Sequence, residues 1–190
     1  MDAEQLHFLK KTMRKKSRHA GFWEELDKRE KEKGVVEDLL LAIYEREGRD
    51  WIKQKSVESS PSSDREAPDV IGETRTGVCV AFEVTELVDE KMIVEHIKGQ
   101  PESKEWQLDE IINRLQAKIA KKGRIDYGGE NFGLIILVIH TAEKEITAHR
   151  YGSAIAAHQF AQQGQIDEAY LLFKPWPMSQ TCSYLRLLFG

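Results

Sequence analysis

The tightest constraint on how this chain folds is the stretch FGLIILVIH, residues 132–140. A strand with one face in water alternates apolar and polar residues, whereas this one is apolar almost throughout. It is therefore expected in the middle of a sheet, covered by helices on both faces. The flanking segments support that. Leu108, Ile111, Ile112, Leu115 and Ile119 form one apolar stripe of a helix over residues 106–122, closed by Gly123. After the central strand, residues 151–163 carry alanines at helical spacing with Ile155 and Phe160, and residues 169–173 read as a last strand before Pro175. Upstream, Val35, Val36, Leu39, Leu40, Ile43 and Tyr44 predict an amphipathic helix between breaks at Gly34 and Gly48, and residues 51–57 predict a first strand. The order is α, β, β-hairpin, α, β, α, β, which suits a three-layer α/β/α domain with a central mixed sheet.

The hairpin lies in residues 67–89, APDVIGETRTGVCVAFEVTELVD. Val70 and Ile71 run into a turn marked by Gly72 and Gly77, and a longer strand returns over residues 78–85. In that strand Val78, Val80, Phe82 and Val84 alternate with Cys79, Ala81, Glu83 and Thr85, so Glu83 sits on the thinner face. Asp69, preceded by Pro68, stands at the far end of the shorter strand. If both carboxylates converge they suit a hard divalent cation. Convergence depends on register, because a slip of one residue sends a whole side-chain set to the other face. A bulge at one of the glycines would bring Asp69 onto the face of Glu83.

Pro68-Asp69, a hairpin, and then Glu83-Val84-Thr85 resemble the signature of the PD-(D/E)XK nuclease superfamily, with Thr85 where that family has its lysine. The resemblance implies a restriction-endonuclease-like fold over residues 34–190. It also implies a Mg²⁺ or Mn²⁺ ion held by Asp69, Glu83 and the Val84 carbonyl. The expected activity is hydrolysis of phosphodiester bonds in nucleic acid, in that family most often DNA. The lysine of the family sometimes comes from a neighbouring helix, and Lys118, two turns after Ile111 at the border of the apolar stripe, is the candidate for orienting the attacking water. Glu37, on the helix before the sheet, matches the glutamate that often joins the metal shell there. Many such nucleases pair their subunits, so a homodimer is a further expectation, with residues 184–189 either its interface or a last core element.

Other features bound the function. A length of 190 residues with 41% hydrophobic content supports one cored domain, preceded by a charged helical extension over residues 1–33. That extension carries Lys10, Lys11, Arg14, Lys15, Lys16 and Arg18, either a phosphate-binding arm or a solvated helix, and Glu24, Glu25, Asp27, Glu30 and Glu32 blunt its field. The net charge of −4 lends no support to nucleic-acid binding. Cys79 and Cys182 show no metal or disulfide spacing and suit a reducing cytosol; with no apolar run long enough for a leader or a membrane span, a cytoplasmic protein is expected. The six histidines lack His-Glu-x-x-His spacing, and neither Gly-x-Ser-x-Gly nor a phosphate-binding glycine loop occurs. Two readings remain: a metal-dependent nuclease, or a catalytically inactive module of the same fold that binds nucleic acid or a protein partner. A third possibility is an unrelated α/β domain on which these acids are surface charges.

Overall fold

The computed structural model describes residues 28–60, 67–89, 105–126, 132–141, 143, 145–173 and 182–190. The described elements are α1 (Lys28–Glu47), β1 (Glu58–Ser59), β2 (Val70–Glu73), β3 (Cys79–Glu86), α2 (Leu108–Lys122), β4 (Leu134–Thr141), α3 (Ala148–Ala157), β5 (Gln159–Phe160), β6 (Glu168–Phe173) and β7 (Ser183–Phe189). The chain is thus α/β, with a mixed seven-stranded sheet in the order β1-β2-β3-β4-β6-β7-β5. β3, β4 and β6 run parallel; β1, β2 and β3 pair antiparallel, as do β6 and β7.

β4 occupies the centre, as its unbroken apolarity predicts. Ile136 and Val138 pack on one face with Val36, Leu39, Leu40 and Ile43 of α1, while Leu137 and Ile139 pack on the other with Ile111, Leu115 and Ile119 of α2 and Ile155 of α3. Each face of one strand therefore anchors a different helical layer. At roughly 25 cal/mol per Å² of apolar surface removed from water, this two-sided burial is the main force holding the domain together.

Several expectations are corrected. α1 runs unbroken through Gly34, because a glycine inside a helix costs only about 1 kcal/mol and Val36, Leu39, Leu40 and Ile43 beyond it are buried, although Tyr44 is half exposed. Residues 51–57 are not a strand: Ile52 makes a single bridge to Thr74, and a 3₁₀ turn, Gln54–Ser56, follows. There the Ser56 hydroxyl donates to the Lys53 carbonyl (2.7 Å) and accepts from the Glu73 N–H (2.8 Å), a local side-chain alternative to a backbone ladder. The helix expected over 151–163 is α3, Ala148–Ala157: Thr147 caps its start by accepting the Arg150 N–H, and Phe160 falls in strand β5 instead. Residues 184–189 fall within β7, between β6 and β5, with Tyr184 and Leu187 in the core. Residues 1–27, which carry the basic cluster, lie outside the described residues.

The β2–β3 turn determines the site. Arg75, Thr76 and Gly77 form a three-residue loop closed by Thr74 N–H to the Val78 carbonyl (2.9 Å) and Gly77 N–H to the Thr74 carbonyl (3.0 Å). Gly77 has φ 88°, the left-handed conformation that such a loop requires at its third position. Gly77→Ala should lower stability by about 1–2 kcal/mol, read as a lower urea midpoint at unchanged slope.

Candidate functional site

An odd loop pairs residues of equal parity, so Val70 stands across from Phe82 and Gly72 across from Val80. One step beyond Val70, the same register sets Asp69 across from Glu83, on the face opposite Phe82. A two-residue turn would have turned Asp69 into the apolar layer under α1. The sequence left this register open; the loop decides it in favour of a shared face. Asp69 Oδ2 accepts the Val84 N–H at 2.8 Å, which fixes its carboxylate against β3. Glu83 is 1% exposed.

The amine that meets these acids is Lys122. Its Nζ lies 2.5 Å from Glu83 Oε2 and 3.4 Å from Asp69 Oδ2, donating to both. Lys118, one turn earlier, lies close enough to His140 for its charge to act on that imidazole. The spacing carries only a weak signal: Ile111, Leu115, Ile119 and Lys122 continue one line at i+4, i+4 and i+3, and Lys118 stands at its edge about 40° away. Burial pulls the Lys122 ammonium down, but the Glu83 carboxylate, and after it Asp69, outweighs burial and holds the group above its ordinary value of 10.5.

The helix acid at the site is likewise shifted from its expected position. Glu32 lies four residues before buried Val36, on the stripe of α1 that faces the sheet, and Glu37 lies about 140° round the helix from it. Burial raises the Glu32 carboxyl, the Asp69 charge raises it further, and Lys28, 3.3 Å away, and Lys122 oppose them. Asp69, Glu83, Glu32 and Lys122 thus form one electrostatic cluster drawn from α1, the hairpin and α2. Thr85, where the family lysine was expected, is half-buried. Among the described residues, no group of three or more His, Cys, Asp or Glu side chains is placed to hold a metal ion.

Two further polar side chains take structural partners. Asp89 is buried and pairs with Arg114 at 3.3 Å. Tyr184 is buried and donates its hydroxyl to Glu47. Glu90 and Trp176 lie outside the described residues. Cys79 is exposed, Cys182 is buried, and both are thiols. None of the described helices is long and apolar enough to cross a membrane. Comparison with protein-family models, curated proteins and solved structures returns no match to this chain.

Two outcomes follow from the charges. Lys122→Met leaves buried Glu83 without its cation and should cost about 3 kcal/mol at neutral pH by urea denaturation, most of it recovered in Glu83→Gln/Lys122→Met. Because the folded-state value of Lys122 is raised, the contribution of the pair is complete below pH 10.5 and is lost as pH rises through that higher value. His140 behaves oppositely: burial, then the Lys118 charge, lowers it from 6.5 to about 4. Between those values the unfolded chain binds a proton that the folded one does not, so stability falls as pH drops, and His140→Gln should flatten that segment of the curve.

Proposed function

We propose that this chain is a metal-dependent nuclease of the PD-(D/E)XK type, with a restriction-endonuclease-like domain that hydrolyses phosphodiester bonds in DNA. The observation that carries this reading is the convergence of Asp69, Glu83 and Lys122 at one point on the hairpin. Supporting it is the order of elements, an α-helix followed by an antiparallel hairpin whose second strand is joined through α2 to a parallel neighbour. The lysine absent at Thr85 is supplied from α2 by Lys122, in place of the expected Lys118. Glu32 takes the place expected of Glu37.

The donor set fits a hard cation. The Lys122 ammonium serves as a stand-in: one cationic group reaches both carboxylates at once. Mg²⁺ takes one or two protein carboxylates and fills its remaining positions with water and phosphate oxygens, so a pair of acids is enough. Asp69 and Glu83, with the Val84 carbonyl, would hold Mg²⁺ or Mn²⁺, which when bound polarises the scissile phosphate and acidifies water. With the cation on those carboxylates, the Lys122 ammonium would move off them to orient the attacking water and offset charge on the phosphate oxygens. Glu32, at the edge of the same cluster, would accept hydrogen bonds from water held by the cation.

A second reading, a catalytically inactive module of the same fold, is favoured by the engagement of Lys122 with both acids. Cleavage of supercoiled, linear and single-stranded DNA, and of RNA, with Mg²⁺ or Mn²⁺ separates the two. The nuclease reading expects cleavage by the wild type, a loss of 100-fold or more in Asp69→Ala, Glu83→Ala and Lys122→Ala, and a small change in Lys118→Ala. A folded wild type that cuts none of these substrates overturns it.

A further inference from the structure

Lys122 is the last residue of α2, and helix ends fray unless something holds them. The apolar stripe anchors Ile111, Leu115 and Ile119, but the next residue after Lys122, Gly123, sits on something else. A Cβ built on Gly123 would stand 2.2 Å from the Gln163 carbonyl oxygen, and one built on Gly164 would stand 1.6 Å from the Gly123 carbonyl oxygen. The backbone after α2 and the backbone between β5 and β6 are therefore in direct contact. A side chain on either residue would force them apart. Gly164 also has φ 60°, so the loop turns at that residue in a conformation that favours glycine.

A second tie holds the same two segments. The Gln116 side-chain amide donates to the Ala161 carbonyl at 3.0 Å and accepts the Ala161 N–H at 2.9 Å. Gln116 and Gly123 are two turns apart on α2, so the loop grips the C-terminal half of the helix at two heights. These ties leave Lys122 to reach across to the hairpin, where its amine spans two carboxylates at 2.5 and 3.4 Å. A displacement of an ångström at the helix end would break the longer contact.

We infer that the β5–β6 loop is the positioning element of this site: Gly164 packed on Gly123, with Gln116 clamped on Ala161, sets where Lys122 meets Asp69 and Glu83. The inference extends the nuclease reading, but the placement of the amine is measured without substrate or cation. Gly164 and Gln116 act through Lys122 and touch neither acid.

The test is acylation of lysines by acetic anhydride, read by peptide mass spectrometry, with exposed Lys121 as the internal reference. In the wild type Lys122, held by two carboxylates, should react at least tenfold more slowly than Lys121. In Gly164→Ala and in Gln116→Ala the ratio should fall to threefold or less. Ala154→Gly, an exposed site in α3 where helix propensity lowers stability away from the loop, should keep the wild-type ratio. An unchanged Lys122 ratio in both loop variants, with circular dichroism showing them folded, overturns the inference whether or not the protein cuts DNA. A collapse in Ala154→Gly equal to theirs also overturns it, since general loosening would then explain the effect. Cleavage rates of the same variants bear on the nuclease reading alone.

Discussion

A carboxylate withdrawn from water inside a sheet must be met by a cation, and the organisation of this domain around Glu83 follows from that requirement. Desolvating an ion costs several kcal/mol, which only a close and well-bonded partner offsets. Lys122 is that partner, and for its amine to arrive, the last turn of α2 must lie over β3 beside the hairpin. The thin side of β3 permits the approach: Ala81, fully buried two residues before Glu83, takes up little space on that face. On the opposite face Val80, Phe82 and Val84 fill the layer beneath α1. One strand thus carries a packed face and a charged one, and its alternation keeps them apart.

The second acid depends on a turn. Because the loop of Arg75, Thr76 and Gly77 is odd in length, Asp69 falls on the side of Glu83, and its hydrogen bond from the Val84 N–H holds it there. Glu32 reaches the same cluster only because α1 continues through Gly34. Asp69 and Lys122 thus act on the ionisation of Glu32, and Glu83 and Asp69 on that of Lys122, and such perturbed groups are found more often at functional sites than elsewhere. The costs of burial and repulsion among these groups are met by the two apolar layers on either side of β4.

The correspondence between sequence and structure is closest where burial sets the pattern. Residues 132–140 and the stripe Ile111, Leu115 and Ile119 read directly as a central strand and a covering helix, since an apolar run can satisfy the chain in few ways. Asp69 and Glu83 were also legible, through Pro68 and the alternation of β3. The less legible features turned on small energies. Gly34 looked like a break although a buried stripe easily outweighs it, and residues 51–57 looked like a strand until the Ser56 hydroxyl competed for its backbone. Lys118 and Lys122 stand only about 40° apart on one helix, and Glu32 lies beyond the break that Gly34 suggests.

By itself, then, the sequence determined the α/β class, the central strand, the covering helices and the two acids of the hairpin, because those follow from local periodicity and the removal of apolar surface from water. Only the tertiary structure decided that Asp69 faces Glu83, that Lys122 and not Lys118 joins them, and that Glu32 stands nearby. Those depend on loop parity and on the height and rotation of each helix against the sheet. No local propensity encodes such distances; they exist only once the layers have packed.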